Sequence, residues 1–267
     1  LTRMSNNVGV AIGPALGGVL ASQSYNTAFY IAATGMVSYS LLILFNAHET
    51  LPDHSTAGLP LGKLLAGYRT IFGDGRFMGF ILAFTLTSVM SALMWTLLPV
   101  YTNSQFGLPE SLYGFIPTTN AVMVVFLQYL VTRQTRKRPM VSMMALGAAF
   151  YMVATTAVSL ATGFWGFWVC MVVHTIGELI LVPTATTYAA NLAPADMRGR
   201  YMSVYGLTWS VAQGIGPLIG GFLSDNLGPV TTWYGSGVIG LLSLGVYLML
   251  HLRTREARVE TSQIDQS

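Results

Sequence analysis

Phe164 to Ala189 reads FWGFWVCMVVHTIGELILVPTATTYA, with one Glu, one His and no Lys, Arg or Asp. A helix needs about 20 mostly apolar residues to cross the hydrocarbon of a bilayer, and this run is longer. A membrane-barrel strand would alternate apolar and polar positions over about ten residues, and this run does not. A helix also satisfies its own backbone polar groups, which lipid cannot do. The stretch therefore reads as a transmembrane helix holding two ionisable groups, His174 and Glu178.

Seven further runs meet the same test, near 4–22, 27–46, 77–101, 111–132, 140–159, 202–224 and 230–251. Composition agrees, with 53% of residues hydrophobic and 9% charged, against about 25% charged in soluble domains. The predicted fold class is an all-α polytopic membrane protein with eight transmembrane helices. The net charge of +3 does not indicate nucleic acid, because the basic residues occupy short gaps between apolar runs rather than one solvated face. Cys170, the single cysteine, cannot form an internal disulfide. HExxH, GxSxG, P-loop and CxxC motifs are missing from the sequence, so neither an enzyme nor a cofactor is expected. Of the four histidines only His174 lies deep in a span, which leaves an intramembrane metal short of ligands.

Orientation follows from the gaps. With strictly alternating spans all 13 Lys and Arg fall on one side, from Arg3 through Lys63, Arg69 and Arg76 to Arg253, Arg255 and Arg258. The densest clusters are Arg133, Arg136, Lys137 and Arg138, then Arg198 and Arg200. Positive charge marks the cytoplasmic side, so both ends are expected in the cytoplasm. Trp95, Tyr101, Trp165, Trp168, Trp233 and Tyr234 gather at the opposite ends, where an aromatic belt is expected. The longest gap, His48 to Arg76, opens with a Pro-, Asp-, Ser- and Gly-rich stretch. It continues with Leu61, Leu64, Leu65, Tyr68, Ile71 and Phe72 at helical spacing. That pattern suits a short helix on the membrane surface, or an ordinary solvated linker.

A motif recurs. Gly13-Pro14-Ala15-Leu16-Gly17-Gly18 returns as Gly216-Pro217-Leu218-Ile219-Gly220-Gly221. Gly9, Gly13 and Gly17 are spaced by four, as are Ala212, Gly216 and Gly220, so small residues share one helical face and admit a neighbouring backbone. Proline removes one backbone hydrogen bond and kinks the helix. The motif serves either plain packing or a rocking, proton-tight contact. Recurrence in the first and seventh spans implies a six-span repeat, as in one large transporter fold.

The GPxxGG motif resembles that of the fifth helix of the major facilitator superfamily, especially its drug:proton antiporters. The resemblance implies that the eight spans are family helices five to twelve, with helices one to four missing as partners. It implies residues 1–46 as the last two helices of an N-terminal bundle and 47–76 as the cytoplasmic linker. Residues 77–252 would then be a complete six-helix C-terminal bundle and 253–267 a cytoplasmic tail. The turn Pro194 to Met202, PADMRGRYM, also resembles the family's turn between helices ten and eleven. The loop Thr132 to Met140 reads TRQTRKRPM and lacks the Gly and Asp of the family's gating loop, so its cations serve topology as readily as gating. The chain starts at Leu1 without a charged leader region, and is expected to be part of something longer.

Among ten acidic residues only Glu178 lies deep in a span, roughly 21 Å from the outer end at 1.5 Å per residue. His174 is one turn earlier on the same face. An ionisable group there costs about 2.5–3.5 kcal/mol on insertion scales and normally faces the bundle or water. Glu178 is therefore expected to bind a proton or cationic substrate with His174 as relay, or to stay neutral and bridge helices. Asn120, Gln128, Trp209 and Gln213, with Ser88, Ser91 and Tyr205, are further polar candidates for substrate contact. The function expected is alternating-access transport of a small solute across the bilayer, by proton-coupled efflux of apolar or cationic compounds. The multi-pass protein is expected in the plasma membrane, a bacterial inner membrane. Proton-coupled uptake of a sugar or metabolite, and a non-transporting scaffold or remnant, are the alternatives.

Overall fold

The computed structural model describes residues 24–47 and 61–264, with only the backbone at 61–66 and 254–264, together with Gly9, Ile12, Gly13 and Leu20. The described residues are helical throughout apart from short turns. The chain divides into two compact units, 1–65 and 66–267. In the first unit, α1 (Tyr25–Asn46) starts where the Ser24 hydroxyl accepts from the Thr27 N–H, a side-chain N-cap. It is apolar all round and none of its residues is buried. The expected span at 4–22 lies outside the described residues apart from the four isolated ones.

α2 (Leu61–Gly73) leads into the second unit, which contains α3 (Gly75–Phe106), α4 (Glu110–Tyr113), α5 (Phe115–Thr135), α6 (Met140–Ala157), α7 (Gly163–Leu192), α8 (Arg198–Leu227) and α9 (Thr231–Ile264). Asp74 caps α3, its Oδ1 accepting from the N–H groups of Arg76 and Phe77. Gly107 ends α3 in the left-handed conformation, φ 61°, which glycine adopts without strain. The Gly107 N–H bonds back to the Asn103 carbonyl and the Leu108 N–H to that of Thr102, the αL form of helix cap. The run expected as one span over 111–132 is interrupted at Gly114. Pro117 has no N–H for the Tyr113 carbonyl, so the ladder breaks between α4 and α5.

Six helical stretches are long and apolar enough to cross a membrane: α1, α3, α4 with α5, α6, α7, and α9 as far as Arg253. The protein is thus an all-α polytopic membrane protein. α8 has the length, 30 residues, but is less apolar, because Gly, Ser and Gln punctuate it. Its faces differ: Val204, Tyr205, Thr208, Ala212, Gly216 and Gly220 are buried, while Gly206, Leu207, Ser210, Gln213 and Gly214 are exposed.

The core of the second unit has two main parts. At the basic end Phe77, Phe80 and Phe84 of α3 meet Tyr188 of α7 and Tyr201, Tyr205 and Trp209 of α8. At the opposite end Met94, Leu98, Tyr101, Phe167 and Trp233 pack together. That corrects the aromatic-belt expectation. Trp233 is fully buried and Tyr101 nearly so, leaving Trp165 and Tyr234 as the exposed members. Their rings fill inter-helix space because large side chains near a helix end serve packing as well as an interface. Short polar bridges add to the packing. Thr87 and Ser243 hydroxyls lie 2.7 Å apart between α3 and α9, and Ser236 donates to Thr155 at 2.7 Å between α9 and α6.

Candidate functional site

α7 carries the ionisable pair, and α5 and α6 flank it. Ile116, Asn120, Val124 and Gln128 follow one another every fourth residue along α5, forming the stripe that meets α7. Asn120, 2% exposed, donates from Nδ2 to Glu178 Oε2 at 2.8 Å and to Thr175 Oγ1 at 2.9 Å. Thr175 passes its own proton to the Met171 carbonyl at 2.8 Å. One turn outward, Trp168 Nε1 donates to Thr119 Oγ1 at 2.8 Å. Glu178 is half-buried, and Asn120 anchors one of its carboxyl oxygens.

Gln128 has a different task. Pro183 lies within α7 and has no N–H, so the Leu179 carbonyl four residues earlier loses its helical donor. Gln128 Nε2 donates to that carbonyl at 3.1 Å and to Thr132 Oγ1 at 2.9 Å. A backbone group freed in an apolar setting must find another partner, and here the partner comes from α5. The carbonyl belongs to the residue next to Glu178, so the proline opens the helix beside its one carboxylate.

The opposite side of α7 is closely packed. Gly147 of α6 and Gly177 of α7 face each other so closely that a Cβ on Gly177 would lie 2.7 Å from the Gly147 carbonyl oxygen and 2.8 Å from Tyr151 Cδ1. Only glycines allow this approach. The Tyr151 ring slides over His174, with centroids 4.0 Å apart and planes 8° from parallel. His174 is fully buried, and neither ring nitrogen has a hydrogen-bond partner among the described residues. His174 and Glu178 share a helical side, yet their neighbours differ: Tyr151 takes the imidazole and Asn120 takes the carboxyl.

The repeated glycine motif is described mainly in its second copy. A Cβ on Gly216 would sit 3.0 Å from Ala92 Cβ of α3, and one on Gly220 would sit 2.6 Å from Leu93 Cδ2. Thr232 of α9 donates to the Gly220 carbonyl at 2.8 Å. Gly216 and Gly220 therefore seat α8 on α3, whereas Gly221 has open space around it and Pro217 is half-buried. In the first copy Gly9 and Gly13 are exposed, and Pro14, Gly17 and Gly18 lie outside the described residues. A match to the Major Facilitator Superfamily covers residues 1–155, and an overlapping second match covers 118–266. The chain belongs to the Major Facilitator Superfamily.

Relatives in the superfamily fit this assignment. The chain is 27% identical to the MFS-type transporter YttB of Bacillus subtilis over 97% of its own length and 65% of the relative's. It is also 27% identical to the multidrug resistance protein MdtH of Salmonella paratyphi B, covering 97% of this chain and 65% of that one. A Na(+), Li(+), K(+)/H(+) antiporter of Planococcus maritimus is 27% identical, covering 92% and 64%. The chain thus spans roughly two thirds of these relatives' length. The crystal structure of a POT family transporter in complex with a thioalcohol-conjugated peptide shares the fold, with a TM-score of 0.71 at 19% identity over 95% of this chain and 68% of that one.

The remaining candidates are spread over the bundle. Trp209 is half-buried against Phe84 with centroids 5.9 Å apart, and Gln213 is exposed. Ser88 donates within α3 to Phe84, and Ser88 and Ser91 are both 2% exposed. Tyr205 lies 3.1 Å from Thr186 Oγ1 between α8 and α7. Arg133, Arg136, Lys137 and Arg138 are exposed where α5 turns into α6, and Arg198 is exposed at the start of α8. Arg200 reaches across to Gly67 of α2. Sequence reasoning missed Thr175 and the Gly147–Gly177 crossing. Gln128 reads in the sequence as a substrate contact; the unread signal for its backbone partner is Pro183, four residues after Leu179, because it leaves a carbonyl in need of a donor.

Proposed function

We propose that this superfamily chain belongs to a carrier that exports small apolar or cationic compounds in exchange for protons by alternating access. Glu178 carries the reading: a half-buried carboxyl in the middle of a span, held by Asn120 at 2.8 Å. A half-buried carboxylate in a span binds either a proton or a cation, and the two exclude each other electrostatically. That competition is what antiport needs. The relatives named as a multidrug resistance protein and as a monovalent cation/proton antiporter support exchange against protons. The basic loops support a cytoplasmic location for both ends, in a bacterial inner membrane. Gly216 and Gly220 provide a close contact suited to rocking, and residues 1–46 fit the end of a first bundle whose other helices complete the cavity.

The test uses inverted membrane vesicles, a lipophilic cation such as ethidium, and Na+ as the alternative solute. Glu178→Gln is expected to abolish uptake driven by a pH gradient and to weaken downhill exchange of the cation as well, because glutamine neither titrates nor carries charge. Gradient-driven uptake at the unmodified rate in Glu178→Gln would remove Glu178 from the coupling. Preference for Na+ over ethidium would make the solute an inorganic cation.

A further inference from the structure

Two grooves open at the basic end of α5, and their linings differ. The larger, about 840 Å3, lies where α5 and α6 flank α7. Arg133, Lys137 and Arg138 stand at its basic end, Leu130, Met143 and Leu146 form its walls, and Ile176 and Ile180 of α7 form its floor. The smaller, about 490 Å3, is lined by Tyr129, Thr132, Arg133, Arg136 and Lys137. Among the described residues neither lining contains a carboxylate. Arg138 belongs only to the larger groove and Arg136 only to the smaller.

We propose that the larger groove binds an anionic glycerophospholipid, with its phosphate among Arg133, Lys137 and Arg138 and one acyl chain along Leu146, Ile176 and Ile180. The segregation of chemistry carries this. Cations occupy one end only, and apolar side chains continue from there along the helices. Ile176 lies 16 residues before the end of α7 at Leu192, roughly 24 Å along its axis. One leaflet with its headgroup region is about 20–22 Å deep, so Ile180 and Ile176 lie near the midplane, at the depth where an acyl chain ends, while Arg133, Lys137 and Arg138 stand at the helix ends. A soluble phosphate would use the cations and gain nothing from Ile176 and Ile180. Basic pockets between helices on the cytoplasmic side are suited to anionic headgroups, and charge complementarity excludes a zwitterionic lipid as the preferred occupant.

The experiment is lipid binding to the full purified chain in detergent by native mass spectrometry, with dioleoyl phosphatidylglycerol as the probe. Dioleoyl phosphatidylcholine and glycerol 3-phosphate serve as competitors. Phosphatidylglycerol is expected to bind with neither competitor displacing it at equal concentration. Arg138→Gln is expected to weaken binding about fivefold, the worth of one surface cation near an anionic lipid. Arg136→Gln, which removes the same charge from the same loop, is expected to change it less than twofold. Equal losses in the two variants would mean that the loop acts only as a diffuse positive field, and would overturn the site. Displacement by glycerol 3-phosphate would make it a soluble-anion site, and equal binding of phosphatidylcholine would remove the charge selectivity. Competition on the unmodified chain decides the matter even if a variant does not fold.

Discussion

The two flanks of α7 are built by opposite means. Toward α5 the contact is polar: Asn120 to Glu178 and Thr175, Gln128 to the Leu179 carbonyl, Trp168 to Thr119. Toward α6 it is apolar and close, with Gly147 against Gly177 and Tyr151 stacked on His174. Hydrogen bonds between helices exchange partners at small cost, about 0.6 kcal/mol each on average. A glycine-to-glycine crossing has no alternative partner and loses its packing all at once. One helix therefore has a flank able to rearrange and a flank that holds.

The comparison predicts a ranking. Gly177→Leu is expected to be the most damaging change, because its side chain collides with the Gly147 carbonyl and the Tyr151 ring. Overpacking of this kind costs about 1–3 kcal/mol or more, seen as a large fall in the thermal midpoint or loss of monodisperse protein in detergent. Asn120→Ala comes next, at up to about 1.7 kcal/mol, since Glu178 and Thr175 both lose its amide. If Asn120→Ala proves the more damaging of the two, the polar flank is the rigid one and the assignment reverses. The third prediction sharpens the polar flank. Gln128→Ala is expected to cost about 0.6 kcal/mol in the native chain and close to nothing beside Pro183→Ala, which restores the backbone donor to Leu179. A double-mutant cycle reads the coupling directly. Additive losses would sever Gln128 from the proline. The smallest effect is expected from Ser236→Ala, at most about 0.6 kcal/mol, because it touches neither flank of α7.

Much of this fold is legible in the sequence because lipid is a demanding solvent. A run such as Phe164–Ala189 has few other uses, and Asp74 before Gly-Arg-Phe is a recognisable helix start. α8 is the instructive case. Its glycines and polar residues make it less apolar than the other spans, and the repeated GPxxGG is what marks it. The site was half legible. Glu178 stands out as the only acid deep in a span, and Asn120 and Gln128 as polar residues four-fold spaced on α5. Which of them meets which is set by helix rotation, and one sequence does not encode that separately from the packing. His174 shows the limit: its spacing from Glu178 suggests a pair, yet the glycine crossing brings Tyr151 over its ring. Two isolated glycines in different helices give no local sign that they touch. The same holds for Trp233, whose position at a span end suggests an interface and whose ring is in the core.

Asp74 has one more connection. Its Oδ1 caps α3, and its Oδ2 accepts from the Tyr201 hydroxyl at 3.1 Å, across 127 residues of chain. During synthesis at about 5–20 residues per second, roughly 6 to 25 s separate the emergence of the two partners. Through that interval the Tyr201 hydroxyl is not yet available to the aspartate. The clasp can close only after Tyr201 has been synthesised, so it joins the first helix of the second unit to a late one after the chain for the intervening helices has been made. Tyr201→Phe would leave the start of α3 intact and remove the clasp, separating the birth of the helix from the completion of the bundle.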